Sequence, residues 1–519
     1  MPIALEQLPD DVDALKSLLV EQARQHDEVV ARNGQLESRV VILTEQLNLA
    51  LARRYAASSE KIAPDQIRLF DEAEVEARSA ASFEDETVTV PEHSRRKRGR
   101  RKLPDALPRI DILHELPDDE RTCPHDGQVL EEINSVISEQ LDIVPAKIRV
   151  IRHVRKQYAC ACGQCIKTAP LPAQPIPKSL ASPGLLAHIT VSKYTDALPL
   201  YRQQAILQRI GVDLPRATLA NWMIQAGTLI QPVINLLRER LLAYDIVQMD
   251  ETPVQVLKEP GKRAQSKSYL WLQRGGPPKQ PVVLYDYDPG RGADVPKRLL
   301  DGFAGYLQTD GYDGYNAVVT VNGLTHVGCW AHARRKFSEA VKAQGRKKQR
   351  GKAHRGLALI QKLYRIEKQA RELTPQERHA HRRQHARPVL DELRAWLDET
   401  LPQVPPTSAT GKALNYLHNE WDKLIRYLDD GRLDMDNNRA ENAIRPFVVG
   451  RKNWLFSDSV KGVKASANLY SLIETATANG LEPYAYLRYL FTELPKAETV
   501  EAIEALLPGN LDADQIKIG

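Results

Sequence analysis

Three acids in this sequence have the type and setting to hold a divalent cation. Asp250 closes an apolar run in Gln248-Met249-Asp250-Glu251-Thr252, and Asp310 closes another in Tyr306-Leu307-Gln308-Thr309-Asp310. Glu441 lies in Asn437-Asn438-Arg439-Ala440-Glu441-Asn442-Ala443-Ile444-Arg445-Pro446. Carboxylates brought together repel unless a cation lies between them, and hard oxygen ligands favour Mg²⁺ or Mn²⁺. Two such ions about 4 Å apart stabilise both the attacking and the leaving oxygen of an in-line phosphoryl displacement. On a helix, Glu441 shares a face with Asn438 and Arg445, so a metal ligand and a phosphate contact emerge side by side. Each acid alone reads more readily as an exposed strand-end carboxylate, the commoner case; the three together, with the strand order, make the case for catalysis.

The elements around these acids are legible. Ile246–Thr252, Ser268–Leu272 and Pro281–Asp286 read as successive strands with the Glu259-Pro260-Gly261 turn between the first two, an antiparallel meander. A helix over 294–302, a strand ending at Asp310, and a fifth short strand over Val327–His332 follow. Strands and helices in that order are the ribonuclease H arrangement, which puts Asp250 on the first strand beside Asp310 on the fourth. The interval from Asp310 to Glu441 is too long for one connection, so a helical insertion is expected at about 340–432. It is strongly basic at Arg346-Lys347-Lys348-Gln349-Arg350-Gly351-Lys352.

A second constellation is rich in sulfur. The chain has five cysteines in 519 residues, too few for a disulfide framework. Cys123 stands in Cys123-Pro124-His125-Asp126-Gly127, and Cys160, Cys162 and Cys165 crowd one short stretch. Thiolate pairs on tight turns each supply half a tetrahedron, so residues 110–170 read as a small β-rich, zinc-finger-like module, with Cys123, Asp126, Cys160, Cys162 and Cys165 as candidate Zn²⁺ ligands. Only Cys162-x-x-Cys165 has the usual spacing, and ordinary small buried residues are the alternative. Ile148, Val150 and Val154 alternate with Arg149, His153 and Arg155 as a strand would, with Ile151 and Arg152 breaking the alternation.

The remaining segments serve binding and assembly. Residues 11–52 read as one long helix whose seam, Leu36, Val40, Leu43, Leu47 and Ala50, extends back through Val29, Leu19 and Leu15, interrupted by Asn33, His26 and Gln22. This is either a coiled coil or a single amphipathic helix packed on the body. Residues 71–105 read as a charged linker whose basic end, Arg95 to Lys102, suits phosphates or is simply solvated. Within 178–235, Leu200–Leu207, a break at Gly211–Pro215 and a helix from Arg216 form a helix-turn-helix pattern, aiming Arg216, Thr218 and Asn221 at a groove; a plain helical hairpin reads the same way. The ribonuclease H-like core spans 243–470 and a helical element 471–519. No apolar run is long enough to cross a bilayer and no export signal opens the chain, so a cytoplasmic, nucleoid-associated location is expected. The formal net charge of +5, from 72 basic and 67 acidic residues, does not by itself indicate a nucleic-acid partner.

Gln248-Met249-Asp250-Glu251-Thr252, Thr309-Asp310-Gly311-Tyr312, Gly328-Cys329-Trp330-Ala331-His332-Ala333-Arg334-Arg335-Lys336-Phe337, Glu441-Asn442-Ala443-Ile444-Arg445-Pro446 and Gly480-Leu481-Glu482-Pro483-Tyr484 resemble motifs of the large transposase of bacterial insertion-sequence family sixty-six. The resemblance covers nearly the whole chain. It implies a multidomain α+β protein with a DDE catalytic core, Asp250, Asp310 and Glu441 as its triad, and Mg²⁺ (or Mn²⁺) as cofactor. Cys329 and His332 resemble a Cys-x-x-His signature on the fifth strand of several such families, there either organising the site or packing a strand end. The family's zinc module falls on 120–170, where this sequence departs from the pattern, with Asp126 and Gly163 at positions that often hold cysteine.

The function so implied is binding of the terminal inverted repeats of an insertion sequence, followed by Mg²⁺-dependent strand cleavage and strand transfer. Arg334, Arg335, Arg445, Arg451 and Lys452 are candidate phosphate contacts, and Trp454 a packing or stacking residue. Partners would be double-stranded DNA at element ends and target, further copies of the chain, and accessory proteins encoded by the same element, with no membrane. Two other classes remain open: a DNA-binding regulator or decayed transposase without chemistry, and a nuclease that cuts without joining.

Overall fold

The computed structural model describes residues 11–54, 148, 150–159, 166–168, 170–344 and 351–516. The chain divides into two units. One comprises residues 85–172, and the other the residues before 85 and from 173 onward.

In the smaller unit, β1 (Gln157–Ala159) pairs antiparallel with β2 (Ile166–Thr168), Tyr158 opposite Lys167. Cys123, Asp126, Cys160, Cys162 and Cys165 lie outside the described residues, as do the linker 71–105 and its basic run. Among the described residues of 148–155 the expected strand does not form. Val150 and Val154 are exposed, and pairing begins only at Gln157, where β2 supplies a partner. Alternation makes a strand only when its edge finds another edge and its apolar face a cover.

The larger unit begins with α1 (Val12–Arg54), a helix of 43 residues. Its C-terminal end is tied to the body: Asn48 Nδ2 donates to the Ala343 carbonyl at 2.9 Å, and Glu45 accepts from the Ala409 amide at 2.7 Å. The seam residues Leu19, Val29, Leu36, Val40, Leu43 and Leu47 are exposed. Four helices follow: α2 (Pro183–Tyr194), α3 (Leu200–Arg209), α4 (Arg216–Leu229) and α5 (Gln231–Leu242). Gly211, at φ +83°, allows the turn between α3 and α4 that a side chain would resist.

The mixed sheet is built from β3 (Ile246–Lys258), β4 (Lys267–Gly275), β5 (Val282–Asp288), β6 (Tyr306–Gln308) and β7 (Thr325–Val327), in the order β5-β4-β3-β6-β7. The first three strands form the antiparallel meander, and β6 and β7 add in parallel. The connections run through α6 (Asp294–Leu299), between β5 and β6, and α7 (Asn316–Asn322), between β6 and β7. The expected fifth strand stops at Val327. Trp330, Ala331 and His332 instead open α8 (Trp330–Ala343), with Cys329 as its N-cap.

An insertion follows, made of α8, α9 (Lys352–Gln369), α10 (Pro375–His381), α11 (Arg387–Thr400), α12 (Ala409–Asn419) and α13 (Trp421–Ile425). Its apolar faces close a core of their own around Trp330, Phe337, Leu359, Leu363, Leu393 and Trp396. Arg382, 1% exposed, fastens its base: it forks onto Glu367 at 2.8 Å and donates to the carbonyls of Tyr427, Asp430 and Leu433. That fixes the chain leading into α14 (Asn438–Trp454). Beyond it come β8 (Ser457–Ser459), α15 (Val460–Ala478), α16 (Pro483–Glu493) and α17 (Val500–Glu504). Helix α15 packs along β5 and α4. Gly227 and Ala465 approach so closely that a Cβ on Gly227 would lie 2.6 Å from Ala465 Cα.

Strand β8 pairs with the far end of β3, Val256 opposite Ser457, on the edge whose near end is taken by β6 at Ile246–Gln248. Between them, among the described residues, β3 has no partner on that edge from Met249 to Gln255. Pro253, which has no N–H to give a ladder, falls in this open stretch. Helix α14 covers it.

Candidate active site

The same dipeptide step carries both aspartates. Gln248 pairs in parallel register with Gln308, so Asp250 and Asp310 each lie two residues beyond a paired glutamine, side by side where β6 stops and β3 continues unpartnered. The glutamines lock that register: Gln248 Nε2 donates to Gln308 Oε1 at 2.8 Å, and Gln308 Nε2 to the Asp434 carbonyl at 2.8 Å. Asp250 Oδ1 accepts from the Glu251 amide and Asp310 Oδ1 from the Tyr312 amide. Both aspartates are half-buried.

Glu441, on the first turn of α14, is 5% exposed. The link just before it binds helix to strand: Asn437 Nδ2 donates to the Met249 carbonyl at 2.8 Å. At the other end of α14, the Arg451 guanidinium donates to the Pro253 carbonyl and the Thr252 hydroxyl. Helix α14 is thus pinned at both ends along the open stretch of β3. From α8, His332 Nδ1 lies 3.6 Å and Arg335 Nη2 3.8 Å from the Glu441 carboxylate.

Electrostatics match this crowding. Burial, then the charges of Glu251, Glu441 and Asp310, push the Asp250 carboxyl well above its ordinary range. Burial raises Glu441 to about 7, with Arg335 opposing and Asp436 and Asp310 adding to the rise. Burial holds His332 neutral, its pKa lowered to about 4. Glu251 is raised by burial and held by Tyr315 and Arg291, the latter at 2.8 Å. Carboxylates so crowded are stabilised in their charged form by a divalent cation, and an all-oxygen donor set fits Mg²⁺ or Mn²⁺.

The structure therefore brings Asp250, Asp310, Glu441, Cys329, His332 and Arg335 into one neighbourhood. Arg445 is half-buried and Lys452 exposed, both on α14. Arg216 and Asn221 are exposed on α4 and Thr218 half-buried. Arg334 corrects the expectation of a phosphate contact. It is 5% exposed and lies over the Tyr364 ring, because its helical angle turns it into the insertion while Arg335 faces the acids. Trp454 packs edge-on against Phe447. Sequence reasoning missed Glu251, Arg291 and Asn437, whose roles arise from contacts distant in the chain. The repeated Gln-x-Asp of Gln248 to Asp250 and Gln308 to Asp310 was the one available signal for the register.

The family models that match the chain are all those of transposases. "Transposase IS66 family" matches residues 178–465, "IS66 C-terminal element" 471–508, "zinc-finger binding domain of transposase IS66" 120–163 and "Transposase C of IS166 homeodomain" 42–112. Uncharacterized protein y4jD of Sinorhizobium fredii (strain NBRC 101917 / NGR234) is 32% identical over 539 residues, covering 99% of each chain. Uncharacterized protein y4qI of that organism is 32% identical over 549 residues, covering 99% of this chain and all of its own. No solved structure matches. The chain belongs to the IS66 transposase family, with the zinc-finger and homeodomain-type DNA-binding segments of that family. The homeodomain match includes the charged stretch 71–105. Among the described residues, no helix is long and apolar enough to cross a membrane.

Proposed function

We propose that the mixed sheet is a ribonuclease H-like core whose Asp250, Asp310 and Glu441 form a DDE triad, and that the protein cuts and joins DNA at the terminal inverted repeats of its element. One observation carries this reading: the Gln248–Gln308 register sets two aspartates side by side at the single open stretch of β3, opposite a buried glutamate on α14.

When bound, Mg²⁺ or Mn²⁺ would neutralise the phosphate and lower the pKa of a water nucleophile. Asp250, Asp310 and Glu441 would hold it. The protein itself positions and balances charge. Asn437 and Arg451 fix the glutamate's helix on the strand, and Arg291 and Tyr315 occupy Glu251, so that it does not compete as a ligand. Arg335, Arg445, Arg451 and Lys452 would lie along the DNA backbone, and Arg216, Thr218 and Asn221 on α4 would face a groove. Double-stranded DNA, further copies of this chain joined through the α1 seam, accessory proteins of the same element and a cytoplasmic, nucleoid-associated location follow from the same reading. The zinc-finger segment would take Zn²⁺ through some of Cys123, Asp126, Cys160, Cys162 and Cys165.

The test is cleavage and joining of element-end DNA by the purified full chain with Mg²⁺ and the element's accessory proteins. Asp250→Asn and Asp310→Asn should each cost roughly a thousandfold or more in rate, the several kcal/mol that metal-assisted stabilisation supplies. Undiminished activity in either variant refutes the triad. Pre-cut ends that never yield joined product would identify a nuclease instead, and DNA binding without either step a regulator.

A further inference from the structure

The triad uses Glu441 but gives no task to its sulfur and nitrogen neighbours. Cys329, at the N-cap of α8, and His332, one turn later, both lie beside the glutamate. Cys329 Sγ is 4.0 Å and His332 Nδ1 3.6 Å from the same Glu441 oxygen, and one donor atom from each residue lies within 4.8 Å of the other two. His332 Nδ1 is buried and makes no hydrogen bond. The Cys329 sulfur accepts from the Asn437 amide at 3.2 Å and from the His332 amide. Burial and the charges of Glu441 and Asp436 push the Cys329 thiol well above its ordinary range, and these two amides offset that only in part.

Tetrahedral zinc, with bonds of about 2.0–2.3 Å to nitrogen, oxygen and sulfur, separates its donors by roughly 3.3–3.6 Å. The two spacings to the Glu441 oxygen are at the top of that range and 0.4 Å above it, and the Cys329–His332 pair lies within 4.8 Å. A donor set of one thiolate, one imidazole and one carboxylate selects a zinc-class ion over Mg²⁺, which takes oxygen alone.

The geometry points to a three-ligand site for a zinc-class divalent cation at Cys329, His332 and Glu441, with its fourth position open, sharing Glu441 with the Asp250–Asp310 pair. The sharing rests on the proposed triad; the site itself does not. On binding, the Cys329 S–H bond breaks, a sulfur–metal bond forms and the proton passes to solvent, so two anionic ligands and a neutral imidazole balance the ion's charge. Glu441 then faces α8, and the aspartates lose their third ligand. Zinc would thereby act as a brake on magnesium-dependent chemistry.

The experiment uses the full chain with Zn²⁺ for stoichiometry by equilibrium dialysis and with ¹¹³Cd²⁺ for NMR. A one-thiolate site resonates far from any multi-cysteine site in the zinc-finger segment. Wild type should bind one equivalent more than Cys329→Ser or His332→Gln, with the fold of each checked by circular dichroism. The one-thiolate signal should vanish in both variants and persist in Asp250→Asn. Equal metal content in wild type and the two ligand variants overturns the site. Loss of the signal in Asp250→Asn overturns it too, because the ion would then belong to the carboxylates. Mn²⁺ should displace the signal from wild type but not from Asp250→Asn; a signal that Mn²⁺ leaves untouched in wild type refutes the sharing and leaves the site standing.

Discussion

Replacing Glu441 by glutamine should abolish cleavage yet stabilise the metal-free protein, with a pH dependence that the site's geometry specifies. Burial, reinforced by Asp436 and Asp310, raises the Glu441 pKa from 4.5 to about 7 in the folded chain. A carboxyl whose folded pKa lies above its unfolded value contributes its full stability below the unfolded pKa and loses it as pH rises through the folded one. Below about pH 4.5 the side chain is neutral in both states, and wild type and Glu441→Gln should be alike. Between about 4.5 and 7 the unfolded chain releases a proton that the folded chain keeps, so wild type weakens with rising pH. At about 1.4 kcal/mol per pKa unit the deficit reaches about 3 kcal/mol at pH 8, and solvent relaxation reduces that to about 1–3 kcal/mol. His332, neutral in the fold, destabilises both proteins on the acid side. Thermal unfolding in EDTA from pH 5 to 8 tests this. Glu441→Gln should melt a few degrees above wild type at pH 8, with most of that gap gone by pH 5, and Mg²⁺ should restore wild type more than the variant. Melting curves that stay parallel across that range refute the account of a buried, raised acid.

Other consequences are as direct. Arg382→Met leaves Glu367 and three carbonyls without their buried donor and should cost about 3–5 kcal/mol in chemical denaturation, with Arg382→Lys in between; a neutral result would mean the insertion is not anchored there. Gly227→Ala drives a methyl into the Ala465 backbone and should destabilise by about 1–3 kcal/mol, loosening α4 from α15 in protection from amide exchange. Arg216→Ala should lower the slope of log affinity against log salt on element-end DNA by about one, while Asn221→Ala should weaken specific sites more than random DNA. Unchanged binding by both would remove α4 from the interface.

Much of the site was visible in residue order. Apolar runs, turn residues and terminal acids marked β3 to β6, and the long gap before Glu441 required the helical insertion that α8 to α13 supply. Local pattern failed where partners decide. Among the described residues, 148 and 150–155 form no strand and find no partner edge, and Val327–His332 splits into strand and helix where Cys329 takes the N-cap position of α8. Arg334 and Arg335 are indistinguishable neighbours in sequence, yet about 100° of helical rotation buries one and turns the other towards Glu441.

What the sequence determined by itself is the inventory: three acids, the basic and zinc-finger segments, the periodicities that make helices and strands, and the motifs of the IS66 transposase family. Only the tertiary structure decided which groups meet. A parallel register between two glutamines sets Asp250 beside Asp310, and a missing stretch of strand pairing admits α14. The side-chain grip of Asn437 and Arg451 then holds Glu441 there, within reach of Cys329 and His332. Those contacts join positions up to about two hundred residues apart, and their energies depend on burial and mutual charge, which chain order does not contain.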